Sequence, residues 1–168
     1  HISYSDYQST IYIIDLKTNQ HTPLITVDGE AVVHSWSPNG QNIALSILNS
    51  NKFSDGIWIF NITDKSNYFV GIGEATTWSP DGKLLAIYSC VQLPDGNSTT
   101  ATIRLVNLLN GKEEILFSQN SCLKLAYMSW SSDKKNIAFS FSRDNTNEEH
   151  LDQIFVLDVS TKKTGKLL

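Results

Sequence analysis

Three stretches of the chain are apolar at nearly every consecutive position: NIALSIL from Asn42, LLAIYSC from Leu84 and NIAFSFS from Asn136. Short runs of this kind, rich in β-branched and aromatic residues, predict strands buried on both faces. Each follows a polar turn led by a tryptophan, in WSPNGQ (36–41), WSPDGK (78–83) and WSSDKK (130–135). A second pattern recurs independently: IYIIDL (11–16), IWIFNI (57–62), IRLVNL (103–108) and IFVLDV (154–159) are four versions of one strand. Their fifth positions, Asp15, Asn61, Asn107 and Asp158, are spaced by 46, 46 and 51 residues, while Trp36, Trp78 and Trp130 are spaced by 42 and 52. Two markers drifting together define an internal repeat. No stretch joins a 3.6-residue period to helix start and stop signals.

The turn residues explain each marker. In Ser79-Pro80-Asp81-Gly82, Pro presets φ at the first central position, Asp suits the second, and Gly takes the left-handed conformation at no steric cost. Asn39-Gly40 serves the same purpose in the first version. The last version lacks both Pro and Gly and has Lys134-Lys135 there, which predicts a looser turn. The Asp or Asn that ends the other strand can accept hydrogen bonds from the backbone of the segment that follows.

Each unit thus reads as four strands, A to D; in one of them A falls at about 31–36, B at 42–48, C at 56–62 and D at 66–71. Four-stranded units of roughly 40–50 residues are the blades of a β-propeller. The stretch Trp78–Ala86 resembles the TolB-like propeller repeat, W-S-P-D-G-K-x-[IL]-A followed by a strand and a D-L-x-T-G-type turn, and the rest of the chain follows it more loosely. The same WD40-like repeat type occurs in the propeller domains of tricorn-like and prolyl-oligopeptidase-like peptidases. The resemblance implies an all-β propeller and leaves the function open. Blades are expected at about 30–72, 73–122 and 123–168, preceded by an incomplete one at 1–29 with ISYS, IYIIDL and HTPLIT as its strands B to D. Three arrangements are open: a segment of a larger propeller, two copies completing one ring, or a closed four-blade ring. In the first two, the ends near Ile2 and Leu168 are interfaces.

Composition narrows the function. Of 168 residues 40% are hydrophobic and 18% charged, enough for a globular core. The net charge of −4 argues against a nucleic-acid binder. No apolar run approaches a membrane span of ~20 residues. Cys90 and Cys122 form neither a disulfide framework nor a metal set; they read as two idle thiols or a single bridge. His1, His21, His34 and His150 lack metal-ligand spacing, and there is no nucleophile elbow or P-loop. VGIGEA (70–75) reads as a blade-to-blade loop, and DNTNEEHLD (144–152) lacks the Gly an EF-hand needs at its sixth position. Asn61-Ile62-Thr63 and Asn97-Ser98-Thr99 are sequons that matter only in a glycosylating secretory pathway. The three tryptophans read as core packing. Neither a cofactor nor a catalytic residue is expected.

Sorted by predicted loop, the charges separate. The B–C and D–A loops collect ten acids against three bases, among them Asp28, Glu30, Asp55, Glu74, Asp144, Glu148 and Glu149; the A–B and C–D turns hold nine lysines against seven acids. The acidic side also carries the longer loops, where binding is commonly placed on a rigid scaffold. These features predict a non-catalytic binding module with a protein partner, recognising a cationic group, and alternatively the propeller part of a larger hydrolase whose catalytic domain lies elsewhere. The TolB-like resemblance and the Asn-, Ser- and Thr-rich, Lys-poor composition favour an exported, periplasmic or extracellular setting.

Overall fold

High β-propensity broken by turn residues at short intervals favours strands over helices, and the described residues fold as antiparallel hairpins. The computed structural model describes residues 8–122, 124–142 and 153–167. The strands are β1 (Ser9–Ile14), β2 (His21–Val27), β3 (Glu30–Trp36), β4 (Asn42–Leu48), β5 (Gly56–Asn61), β6 (Asn67–Gly71), β7 (Ala75–Trp78), β8 (Leu84–Gln92), β9 (Thr99–Asn107), β10 (Glu113–Asn120), β11 (Lys124–Trp130), β12 (Asn136–Ser142), β13 (Gln153–Asp158) and β14 (Thr164–Lys166). They form a two-stranded sheet β1-β2 and three four-stranded meanders, β3 to β6, β7 to β10 and β11 to β14. The tryptophan-bearing strands β3, β7 and β11 lie next to one another. The sheets are successive blades of a β-propeller, set in an open arc. ISYS lies outside the described residues, so the first blade is described only through β1 and β2.

Strand periodicity makes each blade two-faced. Successive side chains alternate sides, so one set faces the preceding blade and the other the following one. Between the second and third blades, Ala44, Ile57 and Ile59 meet Trp78, Leu85, Ile87 and Val106. Between the third and fourth, Ala86, Ile103 and Leu105 meet Ile137, Phe139 and Leu157, with Trp130 packed alongside. Ile11 and Ile13 of the first blade pack with Ile43, Leu45 and Phe60 of the second. The same register positions recur at every junction. Burying each such side chain contributes about 1.5–3 kcal/mol, so cohesion lies mainly between blades.

The tryptophans do not share one environment. Trp78 is 7% exposed and Trp130 half-buried, but Trp36 is 47% exposed. The expectation of three core tryptophans fails at Trp36. Trp78 packs on Ala44, Ile57 and Ile59 of the blade before it, whereas Trp36 takes no part in the core that the described residues of the first and second blades share.

The A–B turns form one bracket three times over. Ser37, Ser79 and Ser131 each donate from Oγ to Oδ1 of Asn39, Asp81 and Asp133, at 2.6–2.7 Å. Each Oγ also accepts the backbone N–H of Asn42, Leu84 or Asn136, at 2.9 Å. The last turn is therefore not looser, contrary to expectation. Lys134 takes φ 66°, beside 68° at Gly40 and 71° at Gly82. The bracket forces the lysine into a left-handed conformation that costs roughly 1–2 kcal/mol. Its Nζ reaches Oδ2 of Asp81 in the preceding blade at 3.1 Å.

The C–D turns are equally regular. Oδ1 of Asp15, Asn61, Asn107 and Asp158 each accepts two backbone N–H groups two and three residues on, at 2.8–3.3 Å. The fifth residue of each turn is left-handed: Asn19, Lys65, Gly111 and Lys162.

Candidate binding face

Antiparallel meanders place the B–C and D–A connections at one edge of the arc. The D–A connections are short, running between β2 and β3, between β6 and β7 and between β10 and β11. The B–C loop of the second blade, between β4 and β5, is held against one of them. Asp28 accepts the hydroxyl of Ser50 at 2.5 Å and the backbone N–H of Asn51 at 3.2 Å. The Ser50 oxygen in turn accepts N–H bonds from Lys52 and Phe53, both at 3.1 Å. Asp55 accepts the N–H of Asn49 at 2.8 Å, where Asn49 is left-handed. Trp58 donates its indole N–H to the Ser54 carbonyl at 2.9 Å and meets Phe53 edge-on at 5.0 Å. The loop is therefore ordered by its own residues, with Asp28 as the tie to the neighbouring connection. The Ser50 hydroxyl, then the Asn51 bonds, hold the Asp28 carboxyl below its ordinary range and keep it ionised.

The candidate acids divide into two kinds. Asp28 and Asp55 are committed to loop structure, and Asp95, in the β8–β9 loop, caps its own turn through the N–H groups of Asn97 and Ser98. Glu30, at the start of β3, and Glu74, just before β7, are exposed, and neither carboxylate accepts a hydrogen bond among the described residues. Asp144, Glu148 and Glu149 lie outside the described residues. No group of three or more His, Cys, Asp or Glu is placed to hold a metal ion among the described residues.

Behind this edge lie polar groups whose role the repeat pattern does not reveal. His34, at an irregularity between Val33 and Ser35 in β3, comes within 3.0 Å of the Ser46 hydroxyl through Nε2. Burial lowers its pKa, partly opposed by a hydrogen bond with the Glu74 backbone, which favours the neutral ring. Tyr88 has its pKa pushed up to about 12, by burial first and by the charge of Glu74 second. Arg104 joins two blades. Its guanidinium donates to the Ile72 carbonyl at 2.6 Å and to the Ser89 hydroxyl at 3.2 Å, and it pairs with Glu113 at 3.2 Å. A lone Arg in an apolar strand was the available signal, since a buried guanidinium requires several acceptors.

Cys90 and Cys122 are joined as a disulfide, with Cα atoms 5.6 Å apart. The thiols are thus bridged rather than idle. The bond fastens the connection between the third and fourth blades to the outer end of β8. Ser121 and Cys122 also donate their N–H groups to the Thr99 carbonyl and hydroxyl, at 2.8 and 3.0 Å.

No protein-family profile matches this chain, and no curated protein does. Solved structures match in fold. The β-propeller domain of the Trilobed protease from Pyrococcus furiosus is similar at TM-score 0.57 and 20% identity, over 96% of this chain and 50% of that one. A prolyl endopeptidase is similar at TM-score 0.61 and 15% identity, over 94% of this chain and 25% of that one. TolB from Acinetobacter baumannii aligns at TM-score 0.45 and 16% identity, over 94% of this chain and 48% of that one. The chain thus spans half or less of the length of each. The likeness to the first two establishes the β-propeller fold.

Proposed function

We propose that this chain is a non-catalytic propeller module whose B–C/D–A edge recognises a cationic protein segment. The observation that carries the proposal is the division of labour among the acids. Asp28 and Asp55 order the loop between β4 and β5, and Glu30 and Glu74 beside it are exposed and accept no hydrogen bond among the described residues. A rigid edge carrying excess negative charge attracts a basic partner over a Debye length of about 8–10 Å at physiological salt. Titration calorimetry with a lysine-rich peptide at low and high salt tests the proposal. Binding should weaken steeply with salt and fall further in a Glu30→Gln, Glu74→Gln double variant. Binding that is unchanged by salt, or unchanged in the double variant, refutes it. The disulfide supports an exported setting, because such bonds persist in oxidising compartments.

A second function, as the propeller part of a hydrolase, is favoured by the likeness to a prolyl endopeptidase, of which this chain spans a quarter. The polypeptide isolated from its source decides this alternative. A longer chain with peptide-hydrolysing activity supports it; a chain of this length with no such activity rejects it.

A further inference from the structure

We propose that Asn97, on the hairpin tip between β8 and β9, is an acceptor site for N-linked oligosaccharide. The chain holds two Asn-x-Ser/Thr sequons, Asn61-Ile62-Thr63 and Asn97-Ser98-Thr99, and the fold sets them apart. A glycan is bulky and hydrated, so its acceptor must stand in solvent, with an amide that the fold does not use. Asn61 fails on both counts. It is half-buried at the end of β5, where Nδ2 donates to Oδ1 of Asn42 at 3.2 Å and Oδ1 accepts the N–H groups of Thr63 and Asp64 at 2.8 and 3.2 Å. A sugar on that nitrogen displaces Asn42 and crowds the turn.

Asn97 meets both conditions. Every residue from Leu93 to Ser98 is exposed. The turn is built without the Asn97 side chain: the Ser98 carbonyl accepts the N–H of Leu93 at 2.8 Å, the Leu93 carbonyl that of Gly96 at 3.0 Å, and Oδ1 of Asp95 those of Asn97 and Ser98 at 3.0 and 2.9 Å. The Asn97 amide itself makes no hydrogen bond among the described residues. A Cβ built on Gly96 meets nothing within 4 Å, so the space around the tip is open. The disulfide between Cys90 and Cys122 points to the same oxidising secretory route in which such transfer takes place.

The donor is a polyprenyl-diphosphate-linked oligosaccharide, presented by a membrane-bound oligosaccharyltransferase. The Asn97 amide nitrogen forms a bond to C1 of the first sugar, the bond from C1 to the diphosphate oxygen breaks, and the diphosphate leaves with its electron pair while the nitrogen gives one proton to a base of the transferase. No atom is oxidised or reduced. The transferase reads the hydroxyl two residues beyond the acceptor. In the finished fold that hydroxyl, on Thr99, accepts the N–H of Cys122 at 3.0 Å, and the Thr99 carbonyl accepts that of Ser121 at 2.8 Å. Transfer therefore belongs to the chain before Cys122 docks, and the fold then leaves the glycan in solvent.

Translation of the chain, behind a cleavable signal sequence, into microsomes that carry the transferase and its lipid-linked donor tests the proposal. The readout is mass before and after treatment with peptide N-glycosidase, with the occupied residue mapped on peptides. The parent should gain one glycan, on Asn97. Asn97→Gln should lose it, and Thr99→Ser, which keeps the sequon, should retain it. Because glycosylation is read on the newly made chain, a variant that folds poorly is still scored. Folded, disulfide-bonded chain offered to solubilised microsomes should accept none. A parent that gains no glycan overturns the proposal, as does a glycan mapped to Asn61 alone or one that persists in Asn97→Gln. A glycan gained by the folded chain overturns the order of events.

Discussion

A single left-handed residue fixes each C–D turn, and the chain tests its cost at equivalent sites. Lys65 holds φ 64° where Gly111 holds 69°. Glycine removes strain of roughly 1–2 kcal/mol but loses roughly 0.5–1 kcal/mol of unfolded-state entropy. Lys65→Gly is therefore expected to stabilise by about 0.5–1 kcal/mol. A Cβ on Gly111 meets nothing within 4 Å, so Gly111→Ala is expected to cost about 1 kcal/mol from the backbone alone. Urea midpoints of the two variants should move in opposite directions.

The same turns give an acid dependence that varies from blade to blade. Bonds from the Thr161 and Ser160 backbone and hydroxyls bring Asp158 from the ordinary 3.8 down to about 2, whereas Asn61 and Asn107 cannot titrate. For a carboxyl depressed on folding, the stabilisation is complete above the unfolded value and is lost as pH falls through the folded one. Stability should thus decline as pH drops from about 4 towards 2. Asp158→Asn keeps the two accepted bonds and should flatten part of that decline in urea titrations run at successive pH values. Asp158→Ala should lose stability at neutral pH as well.

Between elements, Arg104 and the disulfide do what the repeat alone does not. Arg104→Ala removes the donors to Ile72 and Ser89 and should cost about 2–3 kcal/mol in chemical denaturation. Arg104→Lys should recover little of it, because one ammonium cannot match the planar fork. Glu113 is half-exposed, so a double-mutant cycle between the two should give a coupling under about 1 kcal/mol. The disulfide closes a loop with a sequence separation of 32, for which chain entropy predicts on the order of 3–4 kcal/mol. Replacing both cysteines by serine should lower the unfolding free energy by about that amount. Strand order, turn chemistry and the alternation between faces were legible in the sequence, because each depends on residues within a few positions of one another. The Arg104 contacts were not, since Ile72 reaches its partner only once blades stack, and the bridge stayed one of two readings because Cys122 meets Cys90 only once β8, β9 and β10 have paired. The closing of the last turn was misread because Ser131 and Asp133 outweigh the missing Gly, a contest between two local preferences that composition does not decide.

Across the whole molecule, stability should be graded along the arc. Both faces of the third blade are buried in inter-blade cores, while β14 is three exposed residues. Hydrogen exchange should be slowest in β8 and β9 and fastest in β14; equal protection throughout would mean that the blades open as one unit. The exposure of Trp36 was illegible for the same reason: its motif is that of Trp78, and only the neighbouring blade distinguishes them. Acrylamide quenching should detect one accessible indole that Trp36→Phe abolishes. The candidate acids were legible as charges on one edge, but the sequence did not separate those that build the loop from those left free, because that depends on Ser50 and Asn49 turning back to meet Asp28 and Asp55.

The bond between Cys90 and Cys122 also changes what a cut in the chain means. A protease acting at the exposed tip between β8 and β9 severs the backbone without releasing either piece, since both remain tied through sulfur. On a non-reducing gel the nicked protein migrates near the intact one, and only thiol treatment reveals two fragments. For a molecule exposed to proteases, the loop at that tip is thereby a place where the main chain can be broken and the arc still hold.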